Sequence, residues 1–142
     1  MKSTKEIVAL AKEIAYRSHE GQVRRGALVP YVEHPRGMAE RLAGDPELQI
    51  VAWLHDVLED SSETAESLAA AGIPKHLVEA VVLLTRDPNI SDEAYFLRIR
   101  ESPIATAVKV ADMISNLADQ PTRKQIRRYA KGLLILTPET DE

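Results

Sequence analysis

One histidine and three acidic side chains fall within WLHDVLED, residues 53–60, a segment whose apolar spacing predicts a buried helix. Because residues four apart on an α-helix share a face, His55 is expected to lie beside Glu59. Asp56 should lie beside Asp60 for the same reason. An unpaired buried carboxylate costs on the order of several kcal/mol, so this cluster predicts a bound cation. The alternative is an exposed acidic helix end on which His55 only caps or packs.

Two residues elsewhere in the chain are candidates to complete such a site. Asp112 lies in the middle of AVKVADMISNL, with Lys109 three residues before it and Asn116 four after it. Aspartate is a poor helix former, so an interior one among apolar residues indicates a function. A surface ion pair with Lys109 is the alternative. His34 follows a loop rich in glycine and proline, where a histidine bonded to the backbone is the ordinary explanation.

Together these candidates supply two imidazoles and two carboxylates, from His34, His55, Asp56 and Asp112. This mixed set of nitrogen and oxygen donors suits Mn²⁺, Fe²⁺ or Zn²⁺, with water completing the coordination shell. The chain has no cysteine, which excludes thiolate metal sites and disulfides. The choice among the three metals stays open.

Composition limits the remaining possibilities. The chain has 142 residues, 44% of them hydrophobic and 28% charged, which is typical of one soluble globular domain. A net charge of −4 argues against broad nucleic-acid or membrane binding, because both need a basic surface. The start, MKSTKEIVALAKE, lacks the apolar centre of a signal peptide, so a cytoplasmic location is expected. An anionic ligand would therefore need locally placed positive charge.

Helices are expected to position these side chains. Apolar periodicity and Pro, Gly and Ser signals predict them over residues 4–18, about 34–43, 46 to about 60, 64–71, 74–84, 92–100, 103–117 and about 123–136. Ser61 or Ser62 is expected to cap the fourth of these helices. Gly21, Gly26 and Pro30 mark a loop after the first. With no alternating strand pattern, residues 1–142 are predicted to form a compact all-α domain of about seven or eight helices.

Four sequence blocks, in this order, resemble the HD superfamily of metal-dependent phosphohydrolases. They are HEGQVRRG at 19–26, PYVEHP at 30–35, LHDVLED at 54–60, and KVAD with Asn116-Leu117 at 109–117. Within the superfamily the chain is most similar to the hydrolase domain of the RelA/SpoT family and its small stand-alone relatives. The resemblance runs from about residue 11 to residue 117. It implies a helical HD-domain fold and removal of the 3′-pyrophosphate from (p)ppGpp with a divalent metal, most suitably Mn²⁺.

The resemblance also implies roles for individual residues. The family's metal ligands match His34, His55, Asp56 and Asp112. Its acidic pair, which orders or deprotonates the attacking water, matches Glu59 and Asp60. Because the substrate is polyanionic, the basic residues of the loop are expected to bind it, Arg24 beside the base and Arg25 near phosphate.

Other positions matched by the resemblance are expected to bind the substrate or to shape the loop. Lys109 and Asn116 correspond to residues that hold phosphates or ribose, and Tyr31, in the same loop block as His34, is also expected to bind the substrate. His19 and Gln22 are expected to shape the loop rather than to react.

Three functions from different classes remain open at this point. The first is (p)ppGpp hydrolysis. The second is hydrolysis of another nucleotide or phosphate ester, which is favoured by Met113 where relatives carry a basic residue and opposed by the loop at 24–35. The third is a non-catalytic metal-bound module, whose signature would be loss of a ligand or of the acidic pair. A basic C-terminal helix is expected to be a solvated face; its cations are Arg123, Lys124, Arg127, Arg128 and Lys131.

Overall fold

The structure of the protein is a computed structural model that describes residues 2–24 and 28–139. Eight helices of seven or more residues and one four-residue helix account for most of these described ranges. They are α1 Thr4–Ser18, α2 Glu33–Arg41, α3 Pro46–Leu54, α4 Val57–Asp60, α5 Ala65–Ala71, α6 Lys75–Leu84, α7 Asp92–Arg100, α8 Pro103–Leu117 and α9 Arg123–Leu136. The all-α fold class predicted from the sequence is confirmed.

Local signals explain most helix starts. The hydroxyls of Ser91 and Ser102 accept hydrogen bonds from backbone N–H groups three residues later and begin α7 and α8. The prediction that Ser61 or Ser62 caps α5 is wrong. Thr64 caps that helix in a reciprocal arrangement with Ser67, since it is the residue directly before the first helical position.

The centre of the fold is α3. It packs against α1, α2, α6 and α8, and of its residues only Pro46 and Glu47, in the first turn, are exposed. Four of its side chains are 1% exposed or less, namely Ile50, Val51, Ala52 and Leu54. A helix surrounded on all sides must be apolar on all sides, which is why this segment lacks the one-sided pattern of α1.

The predicted single helix over 46–60 is interrupted at His55 and Asp56. Asp56 has φ −108° and ψ 1°, and α4 begins after it with a hydrogen bond from the Asp60 N–H to the Asp56 carbonyl of 3.1 Å. The side chain of Asp56 accepts a hydrogen bond from the hydroxyl of Tyr31, a residue of the loop before α2. His55 and Glu59 therefore do not share the face of one continuous helix.

The loop between α1 and α2 closes on itself. Among the described residues it contains one isolated antiparallel bridge, Val23 with Pro30. Backbone bonds from Arg24 N–H to Val29 and from Tyr31 N–H to Gln22 join its two arms. The described part of the loop thus brings the ring of Tyr31 to 5.9 Å from that of His34, at the start of α2.

Within the described residues, no helix combines the length and the apolar character needed to traverse a bilayer.

Candidate metal centre and adjoining cavities

Three side chains, two from helices and one from the residue that follows a helix, converge at the centre of the structure. His34 lies at the start of α2, His55 directly after α3, and Asp112 in the middle of α8. One donor atom from each lies within 4.8 Å of the others, and all three residues are buried. The Nε2 atom of His34 is 2.8 Å from Oδ1 of Asp112, and that of His55 is 3.7 Å from the same oxygen. This grouping contains three of the four ligands predicted from the sequence.

The fourth predicted ligand, Asp56, lies at the edge of this group. Its Oδ2 is 3.0 Å from Nε2 of His55 and accepts the hydrogen bond from the Tyr31 hydroxyl. Burial, followed by the nearby Asp56 charge, raises the pKa of Tyr31. The phenol therefore stays protonated and serves as the donor that orients Asp56.

The ring of His55 is oriented to present a lone pair to this group. Its Nδ1 lies 2.8 Å from the carbonyl oxygen of Ala52, which can only accept, so Nδ1 carries a proton. In the neutral ring Nε2 then carries a lone pair and no proton. That atom is buried and makes no hydrogen bond of acceptable geometry with any described residue. A histidine whose other nitrogen donates to a backbone carbonyl is the usual form of a metal ligand.

The electrostatics of the group favour a cation. Although burial opposes charge, the neighbouring His55 lowers the pKa of Asp56 to about 2. Burial also opposes charge on His55, but Asp56 and Asp112 raise its pKa above the usual range, so without a metal Nε2 holds a proton that a divalent ion would replace. Burial likewise opposes charge on Asp112, and Lys109 and the histidines hold its pKa well below the usual range. Burial lowers the pKa of His34, which favours the neutral imidazole that binds metals. The donor set thus fits a divalent ion.

Lys109 and Asn116 both bind Asp112. The Lys109 Nζ is 2.9 Å from Oδ2, and the Asn116 amide donates to Oδ1 at 3.0 Å. Lys109 is thus part of a buried pair rather than the surface pair considered as the alternative. Its ammonium also lies 5.4 Å from the ring centroid of Tyr95, a residue that sequence reasoning missed because it fits the apolar pattern of α7.

The acidic pair predicted to handle water lies on the short α4. Glu59 and Asp60 are both exposed, and Oε1 of Glu59 accepts a hydrogen bond from the backbone N–H of Arg86. Although both residues reach solvent, partial burial of each carboxyl group raises its pKa, with the Asp56 charge acting in the same direction. Neither residue lines either of the two cavities that open beside His34, His55 and Asp112.

Two adjoining cavities open beside the three converging residues, and they share Arg24 and His34. The first has a volume of about 370 Å³ and is lined by Val23, Arg24, Tyr31, His34, Asp56, Asp112, Asn116 and Tyr129. The second, of about 380 Å³, is lined by Arg24, Val29, Glu33, His34, Gly37, Arg41, Ser115, Asp119 and Gln120. The first is therefore lined by three of the predicted substrate-binding residues, Arg24, Tyr31 and Asn116.

Arg24 lies where the two cavities meet. Its Nε is 2.8 Å from Oδ2 of Asp119, and its Nη2 donates to Oδ1 of Asn116 at 2.7 Å. The second predicted loop cation, Arg25, lies outside the described residues. Arg41 was missed by sequence reasoning, although it follows His34 by seven positions on α2 and so shares its face.

Met113 has no place in these cavities. Its side chain is fully buried in the hydrophobic core. The side chain at this position therefore packs in the core and cannot contact a substrate in these cavities. Met113 thus no longer favours another substrate.

Comparison with known proteins agrees with the resemblance drawn from the sequence. The chain is 31% identical, over 96% of its length, to a Mycobacterium leprae protein named probable GTP pyrophosphokinase. It is 32% identical, over 79% of its length, to the guanosine-3′,5′-bis(diphosphate) 3′-pyrophosphohydrolase of Aquifex aeolicus. The chain spans only about a fifth of these relatives, 19% and 17% of their lengths. No family model matches it.

The fold has a close counterpart among solved structures. A metazoan ortholog of SpoT, described as hydrolysing ppGpp and playing a role in starvation responses, superposes with a TM-score of 0.72. The match covers 96% of this chain and 85% of that one, at 23% sequence identity. The chain therefore resembles RelA/SpoT-type hydrolase domains in sequence and shares the fold of a SpoT ortholog.

Proposed function

We propose that this chain is a metal-dependent hydrolase of the HD superfamily that removes the 3′-pyrophosphate of (p)ppGpp. The observation that carries the proposal is the convergence of His34, His55 and Asp112 beside two cavities that share Arg24. The names of the Aquifex relative and of the SpoT ortholog support the choice of substrate.

The metal would be held by the two imidazoles and by Asp112, with Asp56 at the edge of the group. Two nitrogen and two oxygen donors suit Mn²⁺, and Fe²⁺ or Zn²⁺ satisfy the same donor set. When bound, such an ion makes water more acidic and offsets phosphate charge. The remaining ligand positions would be filled by water or substrate.

Side chains of this protein would transfer the protons and bind the nucleotide. Glu59, with Asp60, accepts a proton from the attacking water. The oxygen of that water bonds to phosphorus and becomes part of the released pyrophosphate. The bond between the ribose 3′-oxygen and phosphorus breaks, and that oxygen takes up a proton. Arg24 and Asn116 bind the nucleotide from the cavity wall, and Arg25 and Lys109 add positive charge.

The proposal is tested by offering purified protein a panel of substrates with Mn²⁺. The panel contains ppGpp, pppGpp, GTP, NADPH and nucleoside monophosphates, and released pyrophosphate and orthophosphate are measured separately. Pyrophosphate from ppGpp is expected, and His55→Ala should abolish it. His76→Ala is the matched control, because His76 is a surface histidine paired with Glu47.

The other outcomes separate the alternatives. Orthophosphate from monophosphates alone would assign the chain to a different phosphoesterase. Metal binding without turnover of any substrate would make it a non-catalytic module.

A further inference from the structure

The side-chain amide of Gln22 connects the loop after α1 to the acidic turn of α4. Its Nε2 donates to the carbonyl of Asp60 at 2.8 Å and to the carbonyl of Ser18 at 3.1 Å. Its Oε1 lies 2.8 Å from Nδ1 of His19. All three polar positions of the amide are used, and two of them bind backbone.

These contacts determine the orientation of the amide and the proton on His19. Backbone carbonyls only accept, so the atom facing Ser18 and Asp60 must be the NH₂ nitrogen of Gln22. Its oxygen then faces His19 and can only accept. The proton of the neutral His19 ring therefore resides on Nδ1, and the buried Nε2 makes no hydrogen bond with any described residue.

Gln22 also closes a circuit of four hydrogen bonds around the candidate site. The Tyr31 hydroxyl donates to Asp56, and the Tyr31 N–H donates to the Gln22 carbonyl at 2.9 Å. The Gln22 amide donates to Asp60, whose N–H donates to the Asp56 carbonyl at 3.1 Å. The circuit thus runs through Asp56, an expected metal ligand, and through Asp60, one of the two acids assigned to water.

We infer that Gln22 is a positioning residue, which holds the turn from Asp56 to Asp60 at a fixed distance from Tyr31 in the loop between α1 and α2. Among the described residues, the hydrogen bonds between this turn and the loop are those from the Gln22 amide to Asp60 and from the Tyr31 hydroxyl to Asp56, so loss of the Gln22 side chain would leave the second alone. The inference rests on the proposed function, because it assigns Gln22 a part in placing the acids that handle water. It adds to that function a residue that touches neither metal nor substrate.

The test compares two substitutions of Gln22 with one of Gln49. In Gln22→Glu a carboxylate of the same size faces two carbonyl oxygens, so the circuit opens. Gln22→Met removes the donors without adding charge. Gln49→Glu is the matched control, since the Gln49 amide also donates to a backbone carbonyl, that of Ala39, between α2 and α3.

Steady-state hydrolysis of ppGpp with Mn²⁺ gives the first readout. Both Gln22 variants are expected to lose about 10- to 100-fold in kcat, as for other residues that orient site groups, with KM changed less than about threefold. Gln49→Glu should keep the wild-type kcat. Thermal unfolding identifies the variants that are folded at the assay temperature. If Gln22→Glu is not folded there, the kcat of Gln22→Met alone tests the inference. An unchanged kcat, or a rise in KM alone, would overturn the inference.

The second readout does not depend on hydrolysis. Long-range ¹H–¹⁵N correlation spectra of the wild-type protein should show His19 as the Nδ1–H tautomer, a constraint that Gln22→Met releases. An Nε2–H tautomer in the wild-type protein would contradict the geometry of the Gln22 amide. If the wild-type protein hydrolyses none of the substrates, the proposed function fails, and this spectrum still decides whether Gln22 makes the bonds described.

Discussion

His34 and Asp112 are 78 residues apart in the chain, and their Nε2 and Oδ1 atoms are 2.8 Å apart in the fold. His55 approaches the same carboxylate oxygen from the end of α3. Residues of α2 and α8 and the residue that follows α3 thus meet at one buried oxygen, and the group can accept a divalent ion in place of the proton between His34 and Asp112. Several consequences of this arrangement are measurable.

Removing the metal should lower activity and stability together. Asp56 and Asp112 are both negatively charged at neutral pH, and a bound cation offsets their repulsion. We expect EDTA to abolish ppGpp hydrolysis and Mn²⁺ to restore it. A metal concentration one hundred times its Kd should stabilise the fold by about 2.7 kcal/mol, measured by thermal unfolding. Full activity in excess chelator would contradict a metal-dependent reaction.

Asp112→Asn should separate metal binding from folding. Removing one partner of the buried Lys109–Asp112 pair costs about 3–5 kcal/mol, because the other charge is left buried, and urea unfolding measures the loss. The double variant Lys109→Met/Asp112→Asn should recover much of that stability without recovering metal binding. If the double variant binds Mn²⁺ as tightly as the wild-type protein, Asp112 is not a ligand.

Tyr31→Phe should weaken metal binding while leaving the fold intact. The change removes the hydroxyl that orients Asp56 and keeps the aromatic ring that packs against His19 and His34. Loss of such a partner costs about 10- to 100-fold in affinity or activity, and Mn²⁺ titration by calorimetry measures it. Tyr16→Phe, on a ring that packs against Trp53, serves as the control. Equal Mn²⁺ affinity in both variants would show that Asp56 needs no support from Tyr31.

The pH dependence of kcat should report Glu59. Burial raises the pKa of its carboxyl, and only the ionised form accepts a proton, so activity should fall as the pH drops through that raised value. Glu59→Gln keeps an oxygen for the Arg86 N–H, removes the base, and should lower kcat by about 100-fold or more. Glu63→Gln should keep the wild-type profile. An acid limb that persists in Glu59→Gln would assign the base to Asp60.

Arg24→Ala should affect substrate binding. A hydrogen bond to a charged group contributes about 1.5–3 kcal/mol, so KM for ppGpp should rise by about 10- to 100-fold, with metal affinity unchanged. The control is Arg17→Ala, since Arg17 forms exposed ion pairs with Glu13 and Glu63 away from both cavities. A KM equal to that of the control would remove Arg24 from the substrate site.

Most helices could be predicted because their signals are local. The Ser91 and Ser102 caps bond to N–H groups only three residues away, so their effect is visible in a short segment. The same holds for α1 and α9, whose ends agree with the predictions. The cap of α5 was predicted wrongly because Ser61, Ser62 and Thr64 all have a suitable hydroxyl.

The donors of the candidate metal site could be predicted from residue type, since a histidine or an aspartate within an apolar segment is costly without a partner. Their arrangement could not be predicted. The break at His55 and Asp56 lies beside the Tyr31 hydroxyl, which comes from another part of the chain and bonds to Asp56.

Residue types, caps and periodicity are thus set by the amino-acid sequence within a few residues of each position. The tertiary structure alone decided which side chains meet. It brought Asp112 to His34 across 78 residues, buried Lys109 beside Asp112, and turned Met113 into the core. The physical reason is that helix formation depends on neighbours along the chain, whereas the distance between two side chains on different helices depends on how whole helices pack.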